Sequence, residues 1–185
     1  MAIRQRFSGF HLASLTSLFG SGEEPLVPRC VEMFSHWVEP GPDFDEGSRL
    51  ITDILLGGRE RVRPAVEGDL LQYVVACLAE FEQIHDISHS MFWETFVGAV
   101  RGGRLRLPPE FRETIHWLVT GRPFFGESLD PGGVGYSYWT HAEATPLFEA
   151  ILASSALTAS IGYREAEPWM RRIIKNGKDV WFVRI

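Results

Sequence analysis

Lysine is almost missing from this chain. Lys175 and Lys178 stand against sixteen arginines, a skew that reflects GC-rich coding more simply than function. Cysteine is as scarce. Cys30 and Cys77 are too few for a disulfide framework. Both lie in apolar periodic stretches, VPRCVEMF and YVVACLAEF, so buried free thiols and a reducing cytoplasm are expected. Nothing local lowers either thiol's pKa strongly, Arg29 beside Cys30 being only a weak influence. No segment approaches roughly 18 uncharged apolar residues, which excludes a transmembrane helix. The opening MAIRQRFSGF has neither a signal-peptide core nor a small-residue cleavage site.

Catalytic signatures are missing too. The G-x-S-x-G elbow does not occur, and GES at 126–128 lacks its second glycine. There is no G-x-x-x-x-G-K-[ST] phosphate loop. GSG at 20–22 and GGVG at 132–135 lack the strand–turn–helix order of dinucleotide binding and read as turns. No cofactor is expected.

What is present is a folding sequence. The 185 residues suit one domain, 1–185, with a sizeable core. Apolar residues make up 45% and charged residues 23%, a globular balance. The net charge of −6 is uneven: residues 1–100 hold 7 basic and 15 acidic side chains, and 101–185 hold 11 and 9. An acidic first half argues against nucleic acid and leaves a basic partner or simple solubility.

Periodicity and punctuation predict mostly helices around a small sheet. Phe7–Leu12 alternates like a strand, and Ser14–Phe19 is a short helix stopped by Gly20. A second helix starts near Pro28 and reaches Val38. EPGPDFDEG reads as a loop, with Arg49–Leu56 helical after it. The strongest helical face comes from Leu70, Leu71, Val74, Val75, Leu78 and Phe81. MFWETFVGAVRGG forms a helix closed by glycines, RLRLP is strand or loop, and PPEFRETIHWLV is helical. VGYSYWT alternates like a strand. Thr140 and Glu143 match a capping box that opens a helix to Ser154, unless Pro146 moves the start to Thr145. Glu165–Asn176, capped by Gly177, precedes a final strand, KDVWFVRI. The expected class is α+β: a single domain, with several helices packed on a small sheet.

In EFEQIHDISHSMFWE, His85 and His89 are four residues apart. A metal site would need both on one helical face with a third ligand, and the zinc-protease H-E-x-x-H pattern is absent. Ser90 before MFWETFV is a natural N-cap, and Asp86 competes with helix. The histidines therefore read as loop residues between two helices, with no metal expected.

Two other stretches carry candidate chemistry. RGGRLRLPPEFR gathers Arg101, Arg104, Arg106 and Arg112. With only Phe111 to stack a base, it reads as solvated surface and not as a nucleic-acid site. TGRPFFGESLDPGGVGYSYWTHAE combines Arg122, Glu127, Asp130, Tyr136, Tyr138, Trp139 and His141 around glycine turns. Such a loop suits a ligand or partner surface, or simple packing at a sheet edge.

The order GSGEEPL, LLQYVVACLAEF, GRPFFGESLDPGGVGYSYWTHAEA and NGKDVWFVRI resembles an uncharacterised bacterial domain-of-unknown-function family. More distantly it is similar to the YfbM-like α+β proteins. The resemblance implies an α+β fold and supplies no catalytic residues. The function expected overall is a non-enzymatic protein-interaction module of the bacterial cytoplasm, of the immunity type or similar. It would have a protein partner or form a homodimer, without nucleic acid or membrane. The alternative is a small-ligand binder or hydrolase-like enzyme with Glu127, Asp130 and His141 as acid–base groups.

Overall fold

A computed structural model of the chain describes residues 5–57, 74, 77, 78, 86–88, 90–122 and 136–184. The fold is α+β, as expected. The chain groups into two compact units. One comprises residues 1–10, 85–123 and 130–185, and the other residues 11–84 and 124–129.

The first unit is built on a four-stranded antiparallel sheet. Its strands are β1 (Gln5–Phe10), β2 (Asp86–Ser88), β3 (Tyr136–Trp139) and β4 (Asp179–Arg184), in the order β2-β1-β4-β3. Phe7 lies opposite both Ser88 and Phe182, and Tyr138 lies opposite Trp181. Side chains alternate between faces along each strand. One face therefore carries Phe7, Phe182, Val180 and Trp139, all within the main core cluster. The other carries Ser8, Phe10 and Trp181, also buried. The first face packs with four helices: α4 (Met91–Arg101), α5 (Arg112–Thr120, after a 3-10 turn at Pro109–Phe111), α6 (His141–Ala153) and α8 (Tyr163–Asn176). A short α7 (Ser155–Thr158) links the last two.

The core is aromatic. The Phe7 ring stacks on Trp93 at 4.2 Å and on Phe182 at 5.2 Å, and Trp169 meets Trp93 edge-on at 5.4 Å. Each such pair adds about 0.5–1.5 kcal/mol beyond the area it buries. The indole N–H of Trp93 donates to Ser88 Oγ at 2.8 Å, so this ring is buried without an orphan donor.

The second unit contains α1 (Leu12–Ser17), α2 (Leu26–Ser35) and α3 (Pro42–Gly57). Leu26, Cys30 and Phe34 recur every four residues on α2. Leu50, Ile51, Ile54 and Leu55 form the matching stripe on α3. Val74, Cys77 and Leu78 of the expected long amphipathic helix are helical and buried; its other face residues lie outside the described residues. Both cysteines are free and buried.

Several local expectations change. EPGPDFDEG is not a loop throughout, because α3 starts at Pro42. Proline fits the first helical position, and Asp43 and Asp45 sit in the first turn, where carboxylates favour the positive end of the helix dipole. α1 starts at Leu12 and ends before Gly20, and α2 starts at Leu26. RLRLP is irregular. α6 begins at His141 with Pro146 inside it, so the later start at Thr145 does not occur. Within EFEQIHDISHSMFWE, Asp86–Ser88 is a strand on β1 instead of plain connection. His85 and His89 lie outside the described residues.

Ser90 is the N-cap expected of it. Its Oγ accepts from Phe92 N at 3.2 Å and donates to the carbonyl of Gly162. Gly162 has φ +77, and a Cβ there would sit 2.7 Å from both Phe92 N and Ser90 Oγ. The starts of α4 and α8 touch through a position only glycine can fill. Gly162→Ala is expected to destabilise the chain by about 2–5 kcal/mol, the sum of a left-handed backbone penalty and forced displacement. Urea unfolding followed by tryptophan fluorescence measures this. In the one-domain organisation expected from length, the same experiment on the parent chain gives one transition, coincident with far-UV circular dichroism.

Candidate functional site

The described part of the 120–143 stretch converges on one carboxylate. α5 ends at Gly121, whose φ 76, ψ 155 is backbone territory for glycine alone. The turn delivers Arg122 to the start of α6. There Arg122 Nη1 donates to Glu143 Oε2 at 2.6 Å. The same oxygen accepts from Thr140 N at 2.8 Å and Thr140 Oγ1 at 2.7 Å. Thr140 and Glu143 form the capping box read from sequence.

Arg122 is held on its other sides by rings. Its guanidinium carbon lies 4.4 Å from the Tyr138 ring centre and 5.5 Å from that of Trp117, within cation–π range. A second carboxylate serves the same helix start: Asp179 Oδ1, on β4, accepts from His141 N at 2.8 Å. The first N–H groups of α6, which have no partner within the helix, thus meet anionic acceptors at the positive end of its dipole.

These contacts set the chemistry. Burial is the largest single influence on Glu143 and raises its pKa. The hydrogen bonds from Thr140 and from Arg122, with the Arg122 charge, outweigh it and hold the carboxyl below its ordinary value of 4.5. Glu143 is therefore a fixed anion at neutral pH. It suits holding a cation and does not suit shuttling a proton.

The other expected site residues are distributed differently. Trp139 is fully buried, and its Nε1 donates to Thr114 O at 2.9 Å, tying β3 to α5. Tyr138 is half-buried beneath Arg122. His141 is half-buried, with Thr145 Oγ1 at 3.3 Å from Nδ1 and 3.4 Å from Nε2, a side-on approach too loose to orient a general base. Tyr136 opens β3, opposite Val183. Glu127 and Asp130 lie outside the described residues, so the convergence with His141 that an acid–base site requires does too. Among the described residues no group of three or more His, Cys, Asp or Glu side chains could hold a metal. Burial pushes the Cys30 thiol up to about 11 despite the Arg29 charge. As expected from the sequence, Arg29 does not lower this thiol strongly, and the thiol is a poor nucleophile.

Sequence reading anticipated Arg122, Tyr138 and the Thr140–Glu143 box, but not that they form one cluster. Trp117 and Asp179 went unread because nothing local marks either as a partner of α6.

Glu143→Ala is expected to cost about 1–2 kcal/mol at neutral pH, the range for losing an N-cap with a charged acceptor. Glu143→Gln keeps a capping oxygen and should lose less. Because the folded pKa is lowered, the anion's contribution is complete above the ordinary value of 4.5. It disappears as the pH falls through the lower folded value. In denaturant melts between pH 7 and pH 3 the parent should therefore approach the Glu143→Gln variant as the pH falls, with Glu143→Ala remaining the least stable of the three.

Comparison of the chain with known protein families, curated proteins and solved structures finds no match. The geometry of the chain itself is what bears on its function.

Proposed function

We propose that this protein is a non-enzymatic protein-interaction module of the bacterial cytoplasm, and that the α2–α3 surface receives a basic partner. An immunity-type role, in which an acidic protein occludes a basic toxin, is its specific form.

One observation carries this reading: an exposed tryptophan within a dense acidic surface. Residues 11–57 contain eight carboxylates against two arginines. Glu23, Glu24, Glu32, Glu39, Asp43 and Asp45 are all exposed. Trp37, between Glu32 and Glu39, is 38% exposed, one of four large apolar side chains that remain so among the described residues. Aromatic anchors ringed by charge match the anatomy of transient interfaces, and an acidic field accelerates encounter with a basic partner. Two buried free thiols support a reducing compartment. Among the described residues no helix is long and apolar enough to cross a membrane.

The experiment is co-purification of the untagged protein from its native host. The expected result is a stoichiometric basic partner. Glu32→Lys/Glu39→Lys should slow its association and flatten the salt dependence, while Trp37→Ala should weaken binding about thirtyfold, the scale of a hot-spot residue. Both variants should retain the parent melting curve. Recovery of no stoichiometric partner would sink the proposal.

A further inference from the structure

RGGRLRLPPEFR, residues 101–112, joins α4 to α5 as an ordered connection. Leu105 and Leu107 pack against the core, and Phe111 is buried. Arg104 N and Leu105 N both donate to Ala99 O, at 2.9 and 3.1 Å, and Gly102 N donates to Gly98 O at 3.0 Å. A Cβ at Gly102 would come 3.0 Å from Gly98 O and 3.5 Å from Arg104 Nε, so a larger residue would crowd this return. With the leucines turned inward, Arg104 and Arg106 stay exposed, and so do Arg101 and Arg112.

Arg104, Arg106 and Arg112 differ from the paired arginines of the chain. Arg49, Arg122 and Arg171 each pair with a carboxylate. No described carboxylate pairs with Arg104, Arg106 or Arg112, although Glu110 and Glu113 are exposed on the same stretch. Three exposed guanidiniums with no described carboxylate partner thus stand on one ordered connection of a chain whose net charge is −6, a local departure from charge pairing of the kind expected at a functional surface.

We propose that the α4–α5 connection is a docking surface for a carboxylate-rich segment of a partner protein. This surface belongs to the first unit and stands independently of the acidic α2–α3 face. Guanidinium forks bind carboxylates in pairs of parallel hydrogen bonds. The half-buried leucines hold the backbone against the core, so little loop entropy is lost on binding. Single-stranded nucleic acid fits less well. It requires exposed rings for stacking, and the one aromatic of the stretch, Phe111, is buried.

The test is fluorescence anisotropy at low ionic strength, with the full chain and a labelled dodecaglutamate peptide as the probe. The parent should bind, with affinity falling as salt rises. Arg104→Glu/Arg106→Glu should weaken binding at least about tenfold. Arg164→Glu, a charge reversal at an exposed position of α8, controls for net charge and should change it far less. Thermal melts should match across the three proteins, since every altered side chain is exposed. No binding by the parent, or equal weakening in both variants, would overturn the assignment. Tighter binding of an oligothymidylate of equal length than of the peptide would overturn it as well.

Discussion

The ring of Phe7 is the point on which the first unit closes. It touches Trp93 from α4, Trp139 from β3, Trp169 from α8 and Phe182 from β4. Phe148 of α6 completes the group against Trp93, Trp139 and Trp169. Six large rings from as many elements leave little freedom in where each element lies, because close-packed interiors tolerate neither voids nor overlap. Ser88 and the Thr114 carbonyl accept from the Trp93 and Trp139 indoles, so these two rings are buried without unpaired N–H groups. The Gly162 contact follows from the same constraint. With Trp93 and Trp169 in edge contact, the starts of α4 and α8 come so close that the Ser90 hydroxyl and a bare glycine are what fit between them.

Charge is handled in two distinct ways. Around α6 it is neutralised: Arg122, Glu143 and Asp179 meet at a helix start, with two aromatic rings around the guanidinium. Partial burial strengthens each contact there. On α2–α3 and on the α4–α5 connection, exposed charge of one sign predominates, acidic in the first case and basic in the second. The neutralised cluster helps hold β3 and α5 to α6 and explains itself as structure. The exposed charge on the other two surfaces has no such partner role within the fold, and it is on these surfaces that the two proposals rest.

Much of this was legible because it is local. A capping box, an N-cap serine before an apolar run and a glycine closing α8 each act within a turn of chain, so a few residues carry the whole signal. α3 was misjudged at its start, although Pro42 and the acidic first turn were visible; the turn-like composition of EPGPDFDEG masked them. β2 could not have been read. Three residues have no periodicity of their own, and they are extended because β1, distant in sequence, offers them hydrogen bonds.

The candidate site divides along the same line. Residue types and spacing alone established an α+β chain rich in buried aromatics and acidic in its first half, with a capped helix starting after Thr140. These properties depend on neighbours within a few positions and on summed composition. That Arg122 binds Glu143 across 21 residues, that Trp139 faces the core and that three arginines of one connection face solvent unpaired were decided only by tertiary structure. A side chain's partner is chosen by which elements pack together, and that choice is made by the aromatic core.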